Sequence, residues 1–198
     1  MNDGAMHVFL ETNRLVLRRF TLSDVDHLVG LDSDPDVMRF LTGGKPTTRE
    51  TVRDQMLPRL LSYYERYPGY GFWAAETKTT GEFIGWFHFR PDGGAPEDEP
   101  ELGYRLLKSA WGKGYGTEGS RALIDKGFTE FAVRRVVAST MAVNTASRRV
   151  MEKSGLRYIR TFHQTFDEPI EGTEFGEVEY ALLRSEWEVA RAAADVTR

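Results

Sequence analysis

The chain has 198 residues, 40% of them hydrophobic and 28% charged, with a formal net charge of −4 and no cysteine. That length suits one domain with a full core, spanning 1–198 with its centre at about 10–184. The acidic balance argues against general affinity for nucleic acid or an anionic membrane, and the missing cysteine excludes disulfides, thiolate metal sites and a cysteine nucleophile.

In chain order, Met1 to Thr12 lacks the basic start and long apolar stretch of a signal peptide. No apolar run approaches the ~18 residues of a membrane span, so a cytoplasmic protein is expected. Arg14 to Phe20 reads as a strand with Leu15 and Leu17 on one face. Thr21 to Leu31 reads as a short helix striped by Val25, Leu28 and Val29 and capped by Ser23 or Thr21. Thr47-Thr48-Arg49-Glu50 matches a capping box and opens a helix to about Arg66, with Pro58 expected to kink it. Phe72 to Glu76 and Phe83 to Phe89 read as strands, and Pro91 to Pro100 as a polar loop. Glu101 to Leu107 is the fourth strand. A helix from Thr117 to Phe131 follows, apolar at Leu123, Ile124, Phe128 and Phe131. Val136 to Thr140 is the fifth strand. Asn144 is placed to cap a helix that stops at Gly155. Tyr158 to Gln164 and Glu177 to Leu183 close the chain as strands around an acidic loop, Asp167 to Gly176. A run of strands with helices inserted near each end implies an α/β or α+β layered domain. Four scattered histidines (His7, His27, His88, His163) show no metal-ligand spacing, and no metal is expected.

Between the fourth strand and the next helix lies Trp111-Gly112-Lys113-Gly114-Tyr115-Gly116-Thr117-Glu118. Glycines that open a helix can aim free N–H groups, with the positive end of the helix dipole, at one anion. Read locally, the cluster is either such a phosphate cradle or a plain tight connection. It is not a P-loop, because Lys113 sits between two glycines and no Gly-Lys-Ser/Thr follows. Gly114, Gly116 and Gly119 fit G-x-G-x-x-G literally. However, the motif lies past mid-chain, and the segment Val136 to Thr140 holds no acidic residue to bind a ribose, so a dinucleotide fold is disfavoured.

Three spaced strings resemble the Gcn5-related N-acetyltransferase (GNAT) superfamily, in the branch of ribosomal-protein N-acetyltransferases. They are Leu10 to Arg18; Glu101-Leu102-Gly103-Tyr104 with Trp111 to Glu118; and Asn144-Thr145-Ala146-Ser147-Arg148-Arg149-Val150-Met151 continuing to Leu156. The resemblance implies a bacterial protein with a mixed, mostly antiparallel sheet of about six or seven strands and about four helices, the fourth and fifth strands splayed apart. It implies acetyl-CoA as cosubstrate, its pyrophosphate on backbone N–H groups of Gly112, Lys113, Gly114, Tyr115, Gly116 and Thr117. Tyr104, Leu106 and Leu107 would offer backbone groups to the pantetheine arm, and Asn144 would stand near it. Trp111 replaces the superfamily's Gln or Arg, as is usual in this branch.

The implied reaction is attack of a primary amine on the thioester. Glu101 is the candidate base, acting through water; its alternative reading is an exposed strand-end acid. The superfamily's proton-donating tyrosine on the late helix is replaced by Met151. Ser147, one turn after Asn144 on the same helix face, matches the serine proposed for that role in this branch. The acceptor, a protein N-terminal α-amine or a small-molecule amine, is open. Asp32, Asp34, Asp36, Glu168, Glu171 and Glu174 fall in the segments that build the family's acceptor cleft and lean the expectation towards a cationic acceptor. A succinyl or other acyl donor, and an idle acyl-CoA sensor, are the alternatives. A homodimer is compatible with the sequence.

Overall fold

One eight-stranded sheet, its central strands buried on both faces, organises the computed structural model, which describes residues 7–91 and 93–196. Residues 1–6 of the opening segment and Asp92 of the polar loop lie outside the described residues. The strands are β1 (Val8–Glu11), β2 (Leu15–Arg19), β3 (Gly71–Thr77), β4 (Phe83–Arg90), β5 (Glu101–Leu106), β6 (Arg135–Met141), β7 (Arg157–Phe162) and β8 (Glu177–Leu183). Their order across the sheet is β1-β2-β3-β4-β5-β6-β8-β7. Every pair is antiparallel except β5 with β6. The helices are α1 (Val25–Asp32), α2 (Pro35–Thr42), α3 (continuous over 49–66), α4 (Tyr115–Glu130), α5 (Thr145–Lys153) and α6 (Arg184–Val196). The class is the expected one, with eight strands instead of six or seven, and six helices instead of four among the described residues.

The extra elements are β1, α2 and α6. β1 is four residues at a sheet edge, too short for a periodicity to show. α2 carries its own punctuation: Asp34 Oδ1 accepts from Asp36 N, Pro35 opens the first turn, and Gly43 closes it at φ 68°. α6 docks through Trp187, whose ring meets Phe128 and whose Nε1 donates to Asp125 at 2.6 Å. The cap of α3 is Thr48, which accepts from Thr51 N at 3.1 Å, and not Thr47. Thr47 donates instead to Asp32 Oδ2 at 2.9 Å. Pro58 sits just after a π-type stretch, Val52–Met56, where Leu57 N bonds Val52 O. A proline has no N–H to give the preceding turn, and one extra residue in that turn accommodates it.

The sheet is covered on both faces. Helices α1 to α3 bury Leu28, Leu31, Val37, Val52, Leu57 and Leu60 against Phe72, Phe83 and Trp86. On the other face α4 buries Leu123, Ile124 and Phe128 against Phe87 and Phe89. The closeness of α4 depends on two glycines. A Cβ at Gly119 would lie 2.4 Å from the Phe87 ring, and one at Gly127 would lie 2.5 Å from Phe89.

One seam of the sheet is open. β5 pairs with β6 at a single position, Glu101 opposite Val137, whereas β6 pairs with β8 along its whole length. Past that point β5 and β6 separate, as expected for the fourth and fifth strands of the sequence reading.

Candidate active site

The open seam leaves specific backbone groups without a strand neighbour. Leu107 N donates to Ile84 O at 2.9 Å, so the odd-numbered residues of β5 turn their peptide groups towards β4. Pro100 O accepts from Val137 N at 3.1 Å, so the even-numbered residues face β6. Tyr104 and Leu106 therefore present their peptide groups to the wedge. Leu106 O accepts from Trp111 Nε1 at 2.9 Å, which ties the end of β5 to the turn that follows. The Trp111 indole stays 46% exposed.

That turn is the glycine loop. After the short turn Lys108–Ala110, Gly112 (φ 71°) and Gly114 (φ 82°) hold left-handed backbone, and Gly114 is the N-cap of α4. Glu118 N is the first helical donor, to Gly114 O at 3.0 Å. The N–H groups of Tyr115, Gly116 and Thr117 thus have no partner within the helix. Sequence reading missed the clamp on this loop. Arg14 donates to Lys113 O at 2.9 Å, pairs with Glu118 at 2.6 Å, and lies 4.6 Å over the Tyr115 ring. The only signal for it was a basic residue at a strand start, about a hundred positions away.

Across the wedge, Asn144 caps α5. Its Oδ1 accepts from Ser147 N at 3.2 Å and its Nδ2 donates to Thr140 Oγ1 at 3.1 Å. Both ends of the amide are thus engaged in shaping the turn. Ser147 meets β5 directly: Tyr104 Oη lies 3.0 Å from Ser147 Oγ and 2.9 Å from Ser147 O. Burial pushes the Tyr104 phenol well above its ordinary value. Met151 is 2% exposed and packs in the core.

Glu101 stands apart from Ser147. It opens β5 at the closed end of the wedge, and as an odd-numbered residue its side chain is on the α1–α3 face, opposite Tyr104. Its Oε2 is 3.2 Å from Arg90 Nη2 and 3.5 Å from His88 Nε2. The sequence offers no signal for His88 beyond its lack of metal-ligand spacing; β4 pairing, which sets Arg90 opposite Glu101 and His88 opposite Gly103, brings it here.

The acceptor side differs from the expectation. A cleft of about 480 Å³ is lined by residues of α2, the β6–α5 turn and the loop before β8, among them Arg39, Phe40, Val143, Glu171 and Phe175. The six acids are not a free negative surface. Asp32 pairs with Arg105 at 2.5 Å, Asp36 with Lys108 at 2.5 Å, Glu168 with Lys45 at 2.8 Å, and Glu171 with Arg39 at 3.7 Å. Asp34 caps α2, and Glu174 accepts from Gly172 N at 3.0 Å. This pairing removes the argument for a cationic acceptor. Among the described residues, no group of three or more His, Cys, Asp or Glu is close enough to hold a metal ion. No helix among them is long and apolar enough to cross a membrane.

The sequence model of the acetyltransferase (GNAT) domain matches residues 14–157. The chain is 34% identical over 184 residues to the FsC-acetyl coenzyme A-N(2)-transacetylase of Aspergillus fumigatus, covering 90% of this chain and 77% of that one. It is also similar to the crystal structure of a GNAT-family acetyltransferase from Bacillus anthracis, with TM-score 0.71, 27% identity, and 89% and 98% of the two chains covered. The RimL ribosomal L7/L12 alpha-N-protein acetyltransferase, solved in complex with coenzyme A, shares the fold with TM-score 0.74 at 20% identity, over 89% and 98% of the chains.

Proposed function

Because the chain belongs to the GNAT acetyltransferase family, we propose that it transfers an acetyl group from acetyl-CoA to a primary amine by direct attack. The observation that carries this reading is the pairing of an open β5–β6 seam with a left-handed glycine loop at its mouth. The two features fit the two parts of the donor. Unpartnered N–H groups at Tyr115, Gly116 and Thr117, with the backbone of Gly112, Lys113 and Gly114, suit a pyrophosphate. The peptide groups of Tyr104 and the N–H of Leu106 suit the amides of the pantetheine arm, whereas Leu107, expected to join them, is turned away: its N–H bonds Ile84 O and its carbonyl accepts from Ala110 N. Trp111 holds the end of that edge, and Asn144 holds the turn opposite it. The bound donor supplies an acyl carbonyl activated as a thioester.

The roles of the side chains in this reading are arranged around the wedge. Glu101, through water, takes the proton of the amine on one face of β5. A peptide N–H of β5 near Leu106 faces the position where the oxyanion develops. Ser147, at the head of α5, hydrogen-bonds the departing sulfur. Base and leaving-group residue lie on opposite faces of the strand, which suits an attack from one side and a departure on the other. Acetyl is favoured over succinyl because the Aspergillus relative is named for acetyl coenzyme A. The acceptor is either a small-molecule amine or a protein N-terminus, the latter being what the alpha-N-protein acetyltransferase of shared fold is named for.

Thiol release measured with DTNB tests this. The protein is offered acetyl-CoA or succinyl-CoA with peptides bearing free N-terminal amines, polyamines and amino-acid amides. Amine-dependent release with acetyl-CoA is expected. Release no faster than hydrolysis with every amine would leave an idle CoA-binding module.

A further inference from the structure

Tyr104 Oη contacts two oxygens of one residue, the carbonyl and the hydroxyl of Ser147, at 2.9 and 3.0 Å. A phenol has one proton, and a carbonyl oxygen only accepts. When that proton goes to Ser147 O, the second contact is a hydrogen bond only if Ser147 Oγ–H donates to Tyr104 Oη. The serine proton then points at the tyrosine. A second arrangement uses the same heavy-atom positions: Tyr104 donates to Ser147 Oγ, and the serine hydroxyl, keeping its proton, is free to donate elsewhere. Leaving Ser147 O costs little, because that carbonyl lies in the first turn of α5, where the helix N–H four residues on serves it.

We propose that Tyr104 is a positioning residue for the leaving-group side, turning its proton onto the Ser147 hydroxyl so that the serine proton can hydrogen-bond the departing sulfur. This rests on the reading of Ser147 given above. The half-buried phenol and serine then form a chain in which each bond polarises the next. The step balances without either residue losing a proton. The amine nitrogen bonds the acyl carbon, the C–S bond breaks with its electrons on sulfur, the amine proton leaves through the base, and the thiolate is held by Ser147. Burial holds the Tyr104 phenol protonated, in keeping with a chain that ends in hydrogen bonds.

The test compares Tyr104→Phe, Ser147→Ala and the double variant. Each is assayed with acetyl-CoA and the best amine of the panel above, with CoA affinity measured by calorimetry as the check on folding. Ser147→Ala and Tyr104→Phe should each lower kcat about tenfold, the size of one hydrogen bond, with KM for acetyl-CoA within about twofold. The double variant should be no slower than Ser147→Ala. If Ser147→Ala keeps full kcat, the reading of Ser147 fails and the inference with it. If Ser147→Ala is slow while Tyr104→Phe is normal, or the two losses multiply, only the Tyr104 inference is overturned. A fluorinated tyrosine at position 104 keeps the ring and hydroxyl but is a stronger donor and weaker acceptor. It should raise kcat, and an unchanged kcat overturns the inference.

Discussion

Asp24 is 2% exposed and takes both arms of the Arg18 guanidinium at 2.9 and 2.7 Å, with Glu76 on the same cation at 2.7 Å. Burial alone would raise its carboxyl, but the bonds from Arg18, Thr21 and His27 outweigh it and lower the pKa to about 2. A carboxyl with a depressed folded pKa contributes stability above its unfolded value, lost as pH falls through the folded one. Asp24→Asn should therefore cost about 2 kcal/mol at neutral pH, because Arg18 is left with Glu76 as its one carboxylate partner. The gap between the parent and Asp24→Asn should narrow between about pH 4 and 2 in urea unfolding series. A gap constant with pH would show that charge pairing is not its source. The other residue-scale test is Glu101→Gln, which should lower kcat/KM about a hundredfold if the carboxylate is the base. Single residues were legible where their partners are local. Asn144 as a cap and Met151 as a non-donor could be read directly. Arg14 on the glycine loop and Tyr104 on Ser147 could not, because sequence periodicity carries no information about partners 104 and 43 positions away.

At the scale of elements, strong periodicity located β2 to β8, α1 and α3 to α5 to within a few residues, while β1, α2 and α6 escaped. α2 is the instructive miss, since its Asp34-Pro35 start and Gly43-Gly44 stop are good punctuation around only eight residues. α4 shows how one element serves both fold and site. Its glycines at 119 and 127 set its distance from the sheet, while Gly114 shapes its N-terminus. The two ends should separate by substitution. Gly119→Ala brings a methyl within 2.4 Å of Phe87 and should destabilise by about 2 kcal/mol in thermal unfolding, the overpacking cost outweighing the helix-propensity gain. Gly114→Glu places a side chain at φ 82° and a negative charge at the mouth of the loop. It should abolish CoA binding by calorimetry. Unchanged CoA affinity in that variant would remove the loop from the donor site.

For the whole molecule, the organising fact is a sheet that is complete everywhere but one seam. β5 is bonded to β4 over its full length and to β6 only at Glu101, so its residues alternate between satisfied and waiting peptide groups. The sequence showed that a strand, a glycine loop and a late helix follow one another; it did not show which peptide groups are left open, because that depends on where β6 turns away to pair with β8. Amide hydrogen exchange reads this alternation residue by residue. In the free protein Gly103 and Arg105, turned to β4, should be protected, whereas Tyr104 and Leu106, turned to the wedge, should exchange readily. Adding CoA should slow exchange at Tyr104 and Leu106 at least about tenfold if each amide gains a hydrogen bond, and leave Gly103 and Arg105 little changed. Equal protection at all four positions in the free protein would mean that the seam is closed in solution. Protection by CoA confined to Gly112–Thr117 would mean that the pantetheine arm lies outside the wedge. Protection on the alternate residues would identify the donor as the strand that completes the sheet.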